Sequence, residues 1–141
     1  MENLTPILEQ LQRTRAGLES VAAQFPEDHW RRQPHQKSWS AAEVIAHLTM
    51  VEDRVTQAAR KSIQHSPRPT PIWRRLHLPV WIVVYRLVRF KTPVPLDSSL
   101  LAEKSAMLSR LAAVRQQTLA LLDQVRDRDL SVYWWKHPLL G

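Results

Sequence analysis

Trp39-Ser40-Ala41-Ala42-Glu43-Val44-Ile45-Ala46-His47-Leu48 is the stretch on which the reading of this chain turns. Ser40 followed three residues later by Glu43 is a capping box. The hydroxyl can accept from the Glu43 amide while the carboxylate reaches back to the Ser40 amide, satisfying two donors that a helix start otherwise leaves orphaned. The run predicts a helix from about Ser40 to Lys61 whose buried face is Val44, His47, Leu48, Val51, Val55 and Ala58. His47 then sits on the inner stripe, three residues after Val44 and four before Val51. A neutral imidazole there can ligate a metal from inside a bundle, or it can be a core histidine satisfied by a protein partner. A lone histidine does not choose between the two. The capping box accounts for Glu43 without catalysis. Glu52, one and a half turns past His47, is expected on the solvated rim, with a role behind the ligands of a complete site as the alternative. Trp39 reads as a core anchor at the helix start.

Upstream, Thr5 as N-cap with Pro6 at the first helical position predicts a first helix that ends at Pro26. Leu4, Leu11, Leu18 and Phe25 recur every seven residues, a narrow seam suited to lying along a neighbour. Residues 27–37 have no period and read as a connection. Downstream, Asp97 or Ser98 is the expected cap of the longest helix, about 28 residues and roughly 42 Å. Its stripe is Met107, Leu111, Val114, Thr118, Leu121 and Val125, widened by Leu100, Leu101, Leu108 and Leu122. The chain is expected to leave that helix after Asp129. Three long amphipathic segments joined by Pro-rich connections indicate an all-α bundle. The 141 residues contain two glycines against ten prolines, which agrees, because sheets need tight turns and tight turns usually need glycine.

The chain has no cysteine, so disulfides, a thiolate metal site and a cysteine nucleophile are excluded. The opening MENLTPILEQ has acids and no apolar core of a secretory signal. The longest apolar stretch, Leu78 to Val84, is far below the roughly 18–20 residues of a spanning helix. The expected location is the cytoplasm. The net charge of +7 is concentrated in one place. From Arg54 to Leu96 there are nine basic residues and no acid, which leaves eleven basic against thirteen acidic elsewhere. Within this window, Trp73, Trp81 and Tyr85 lie among cations from Arg68 to Lys91. Packing on the bundle, with Arg and Lys reaching outward, is weighed ahead of a membrane-surface role, and nucleic acid is placed last, since the apolar residues Val80, Ile82, Val83, Val84, Leu87 and Val88 are too many for a solvated ribbon.

The run from Trp39 to Leu48, with Glu52 five residues after the histidine, resembles the second-helix motif of the DinB-like (DinB/YfiT-type) family, bacterial four-helix-bundle proteins that include thiol-dependent transferase relatives. Asp127-Arg128-Asp129-Leu130-Ser131 and His137-Pro138-Leu139-Leu140-Gly141 resemble the loop before that family's last helix. The resemblance implies one domain over residues 1–141, an up-down bundle of the four-helix type lacking most or all of the last helix, with a basic apolar insertion between helices two and three. It also implies a metal-dependent enzyme, a thiol-dependent transferase or a hydrolase, in which His47 and two histidines spaced His-x-x-x-His on the last helix hold a divalent ion of the Zn or Ni type. That pair has no counterpart here: His29, His35, His65, His77 and His137 are scattered, and a turn-shaping role suits His137 better than ligation. The metal is therefore expected absent or weakly held in this chain, which reads as incomplete at its C-terminus. Without a fourth helix, an open apolar wall has to be filled by the 72–90 segment, closed by a homodimer, or left as a source of instability. Two functions are carried forward: an enzyme scaffold with an incomplete metal site and an unknown small-molecule substrate, and a non-catalytic helical binding module or fragment, with membrane-surface association through residues 68–91 as its variant.

Overall fold

The computed structural model describes residues 4–36, 38–66 and 101–133. It is all-α: α1 spans Thr5–Gln24, α2 Ala41–Gln64 and α3 Lys104–Gln124, with 3-10 turns at Glu27–His29 and Leu130–Val132 and no strand among the described residues. The expectations for the 72–90 segment, for Asp97, Ser98 and Leu100, and for His77 and His137 lie outside the described residues.

The start of α2 is as read. Ser40 is extended at the N-cap, its hydroxyl accepts from the Glu43 amide at 3.2 Å, and the Glu43 carboxylate accepts from the Ser40 amide at 2.7 Å and from the Ser40 hydroxyl at 2.8 Å. The Ser40 amide and hydroxyl hold the Glu43 carboxyl below the usual carboxylate range. Ser40→Ala should lose about 1 kcal/mol near neutral pH. Because the folded-state pKa of Glu43 is depressed, its contribution is present above the unfolded value and disappears as pH falls through the folded one. The gap between Ser40→Ala and the parent should therefore narrow in acid. Thermal melts at neutral and acid pH check both parts, and a gap that widens in acid refutes the assignment.

Three boundaries shift. α1 takes Thr5 as its first residue, with Leu4 at the N-cap position and no side-chain cap, so Pro6 occupies the second helical position, where its missing N–H is equally harmless. α2 runs to Gln64, three residues beyond expectation, and is the longest described helix. α3 is shorter than expected: residues 101–103 are not helical, Glu103 is the N-cap and the helix ends at Gln124. Its stripe is nonetheless the one read, with Met107, Leu111, Val114, Leu121 and Val125 buried and Thr118 half-buried.

The buried face of α2 is a larger correction. Val44, Leu48 and Val55 are 40%, 39% and 38% exposed, whereas Ala42, Ile45, Ala46, Thr49, Met50 and Thr56 are buried. The helix is apolar on two opposite sides, and periodicity picks the side with the larger side chains. α3 instead packs on the side where Ala42, Ala46 and Thr49 let two backbones approach closely. The core comprises Trp30, Ala42, Ile45, Ala46, Met107 and Leu111, with Leu18, Phe25, Ala41, Leu101, Ala102 and Leu108 against it.

The supposed featureless connection contributes the main aromatic of this core. Trp30 is 3% exposed, its carbonyl accepts from the Ala42 amide at 2.9 Å, and its ring meets Phe25 edge-on at 6.2 Å. Lys104 closes the same corner. Its ammonium lies 5.8 Å from the Trp30 ring centroid, donates to the Phe25 carbonyl at 2.7 Å and stands 3.5 Å from Glu27. A cation at the start of a helix opposes the helix dipole, and the carbonyl at the end of α1 offsets this. Trp39, expected as the anchor, is instead 40% exposed.

Candidate functional site

His47 lies on the side of α2 away from α3. Its ring packs edge-on against Trp39, with centroids 4.9 Å apart and planes at 64°. The residue is half-buried, and Nδ1 is buried with no hydrogen-bond partner. Burial among these neighbours pushes its pKa below the ordinary histidine value, so the ring is neutral at pH 7. A neutral imidazole with an open ring nitrogen has the chemistry of a metal donor. The rest of a donor set is not there: among the described residues no group of three His, Cys, Asp or Glu side chains could hold an ion. His29 is exposed and stands 3.5 Å from Asp28, His35 is exposed, and Nδ1 of His65 is 2.6 Å from the Lys61 carbonyl at the far end of α2. The described residues fit one ligand and do not by themselves make a metal centre.

Glu52 is not a rim residue. Its side chain is 15% exposed and pairs bidentately with Arg115 of α3, at 2.5 Å from Nε and 2.8 Å from Nη2. Arg115 also donates from Nη1 to the Leu11 carbonyl at 2.8 Å, and so ties α1 to the other two helices. Thr118 donates to Glu52 at 3.0 Å, and the Thr56 hydroxyl is 2.8 Å from that of Thr118, so Thr56 can donate in turn. The carboxylate and guanidinium satisfy one another, which leaves the pair structural. The signal for this network was present in the sequence. Ile45, Thr49, Glu52 and Thr56 keep the four-three-four spacing of a stripe, but three of them are polar and a search for apolar periodicity passes over them.

Beside this network a cleft of about 250 Å³ opens between α1, α2 and α3. Leu18, Leu48, Leu108, Leu111 and Ala112 form its walls, and Thr14, Arg15 and Glu19 lie along α1 at its edge. Arg15 and Glu19 pair with each other at 2.7 Å, so no free charge from that pair faces the opening. The cleft exists because α1, whose seam residues Leu11, Leu18 and Phe25 are only half-buried, does not lie flush on the α2/α3 pair.

A capped helix that carries one histidine and packs on a partner helix does not by itself define a family. The family model described as the DinB superfamily matches residues 10–139. The chain belongs to the DinB superfamily. No curated protein and no solved structure matches it. The match agrees with the all-α architecture and covers the second-helix run that carries His47. For a DinB-superfamily chain, the position of His47 on α2 is thus set by the capping box, while its exposure and open nitrogen come from the way α3 packs on the opposite side of the helix.

Proposed function

We propose that this DinB-superfamily chain is a divalent-metal-binding scaffold of the enzyme type, in which α2 contributes one donor, His47, to a site that needs further ligands from outside the described residues. The open, buried Nδ1 of a neutral ring carries the reading. An ion of the Zn or Ni type held in such a site would activate water or a thiolate, as in a hydrolase or a thiol-dependent transferase. The role of this chain's own residues is narrower. Trp39 fixes the plane of the imidazole and burial keeps protons from competing for it. None of the described helices is long and apolar enough to cross a membrane, and we place the protein in the cytoplasm.

The test is calorimetric titration of the full chain with Zn²⁺ and Ni²⁺, with metal analysis of the purified protein. The expected result is weak, sub-stoichiometric binding that falls at least tenfold in His47→Ala, since one imidazole provides neither the affinity nor the geometry of three. Unchanged binding in His47→Ala refutes the donor assignment. A tightly held stoichiometric ion in the parent refutes the incomplete site. The second reading, a helical binding module without catalysis, is favoured by the apolar cleft between α1, α2 and α3. It is the reading left standing if the chain takes up no ion at all.

A further inference from the structure

The cleft between α1, α2 and α3 has a chemistry that the metal reading does not use. Its walls, Leu18, Leu48, Leu108, Leu111 and Ala112, are aliphatic, and His47 is not among its lining residues. Its volume of about 250 Å³ is below the roughly 300–1,000 Å³ of sites for drug-sized molecules, so a ligand that fills it is small and mostly aliphatic. The charged side chains at the cleft are already neutralised. Glu52 pairs with Arg115, and Arg15 pairs with Glu19. An entering carboxylate would have to share the Arg115 guanidinium with Glu52, and an entering ammonium would find no unpaired acid among the lining residues. Hydrogen-bonding capacity is left over. Of the five N–H groups of a guanidinium, Arg115 commits two to Glu52 and one to the Leu11 carbonyl at 2.8 Å. One N–H on each Nη is then without an acceptor among the described residues. The Thr14 hydroxyl gives its proton to the carbonyl of Gln10 at 2.9 Å or of Leu11 at 3.1 Å, and its oxygen can still accept. Thr14 Oγ1 and Arg115 Nη1 thus meet at the same Leu11 carbonyl, an unused acceptor beside an unused donor at one edge of the cleft.

We propose that this cleft binds a small, uncharged carboxamide with an aliphatic body. The carboxamide oxygen accepts from Arg115, its N–H donates to Thr14 Oγ1, and the aliphatic part lies among Leu18, Leu48 and Leu108. A carboxamide offers an acceptor and a donor on one carbon, which matches the donor and acceptor that converge on the Leu11 carbonyl. It carries no charge, so it leaves the Glu52–Arg115 and Arg15–Glu19 pairs intact. The aliphatic part leaves water for a surface that is apolar already. The inference names the ligand class of the cleft and rests on the binding-module reading. It is separate from metal binding at His47.

Octanamide, octanoate and octylamine share one aliphatic chain and differ in the head, so calorimetric titration of the full chain with each at neutral pH reads the class directly. Octanamide should bind one to one with a Kd below about 1 mM, at least tenfold tighter than either charged analogue. In nuclear magnetic resonance spectra the backbone amide signals of Leu18, Leu48 and Ala112 should shift with it. Ala112→Leu fills the cleft and should abolish binding without lowering the melting temperature. Thr14→Val, at an exposed position, should weaken binding several-fold in a chain as stable as the parent. A chelator and His47→Ala should leave binding unchanged. If octanoate or octylamine binds as tightly as octanamide, the carboxamide assignment is overturned while the cleft stays a binding site. If none of the three binds, or if Ala112→Leu still binds octanamide, the cleft is not the site and the binding-module reading loses its support. Binding that disappears with a chelator or in His47→Ala places the ligand at the imidazole and also overturns the proposal.

Discussion

Arg115→Ala is expected to destabilise the domain by about 3 kcal/mol, which lowers the melting temperature of a chain this size by about 10 °C. The substitution strands the Glu52 carboxylate, 15% exposed, with only the Thr118 hydroxyl for company, and removes the donor to the Leu11 carbonyl that tethers α1. Much of the effect is the cost of an unpaired, largely buried charge and not the value of the pair itself. The double variant Glu52→Leu/Arg115→Met, which removes both charges and keeps the volume, should therefore recover most of the loss. Urea denaturation of the three proteins separates the cases. If Arg115→Ala loses less than about 1 kcal/mol, the ion pair is as weak as a surface contact and does not hold the helices together.

Trp30→Ala should cost more, about 4 kcal/mol, while Trp39→Ala should cost less than about 1 kcal/mol. Trp30 fills the corner where the end of α1, the start of α2 and the start of α3 converge, and its removal takes away the ring that Phe25 and Lys104 pack against. Its indole Nε1 is buried without a hydrogen-bond partner, so the ring is held by packing and by the Lys104 ammonium over its face, and Trp30→Phe should restore roughly half of the loss. Trp39 rests on His47 at a surface and leaves no cavity when shortened. Equal losses at the two positions by thermal or urea unfolding would show that the core is centred elsewhere.

These two experiments fall where the sequence is hardest to read. Ser40 and Glu43 were legible because a capping box is local: both partners lie within four residues and no other part of the chain is needed to complete it. The stripe of α3 was legible because Met107, Leu111, Val114, Leu121 and Val125 keep helical spacing and are all buried. Trp30 was passed over because it follows a proline in a stretch without a period, and its burial depends on Lys104 and Met107, more than seventy residues away in the chain. Arg115 was passed over because charged residues at stripe positions look like solvated ones until a partner of opposite sign is found across the interface.

For the candidate site, the sequence placed His47 on a helix, at a defined distance from the cap and on a stripe with Val44, Val51 and Val55. It also showed that no His-x-x-x-His pair exists among the six histidines. Those are properties of local order and composition. Which side of α2 meets α3 was decided only in three dimensions. A helix apolar on both sides has two faces of comparable hydrophobic value, and the choice between them was made by how closely two backbones can approach over Ala42, Ala46 and Thr49, a steric quantity that periodicity does not measure. The same choice left His47 half-buried against Trp39 with one ring nitrogen open.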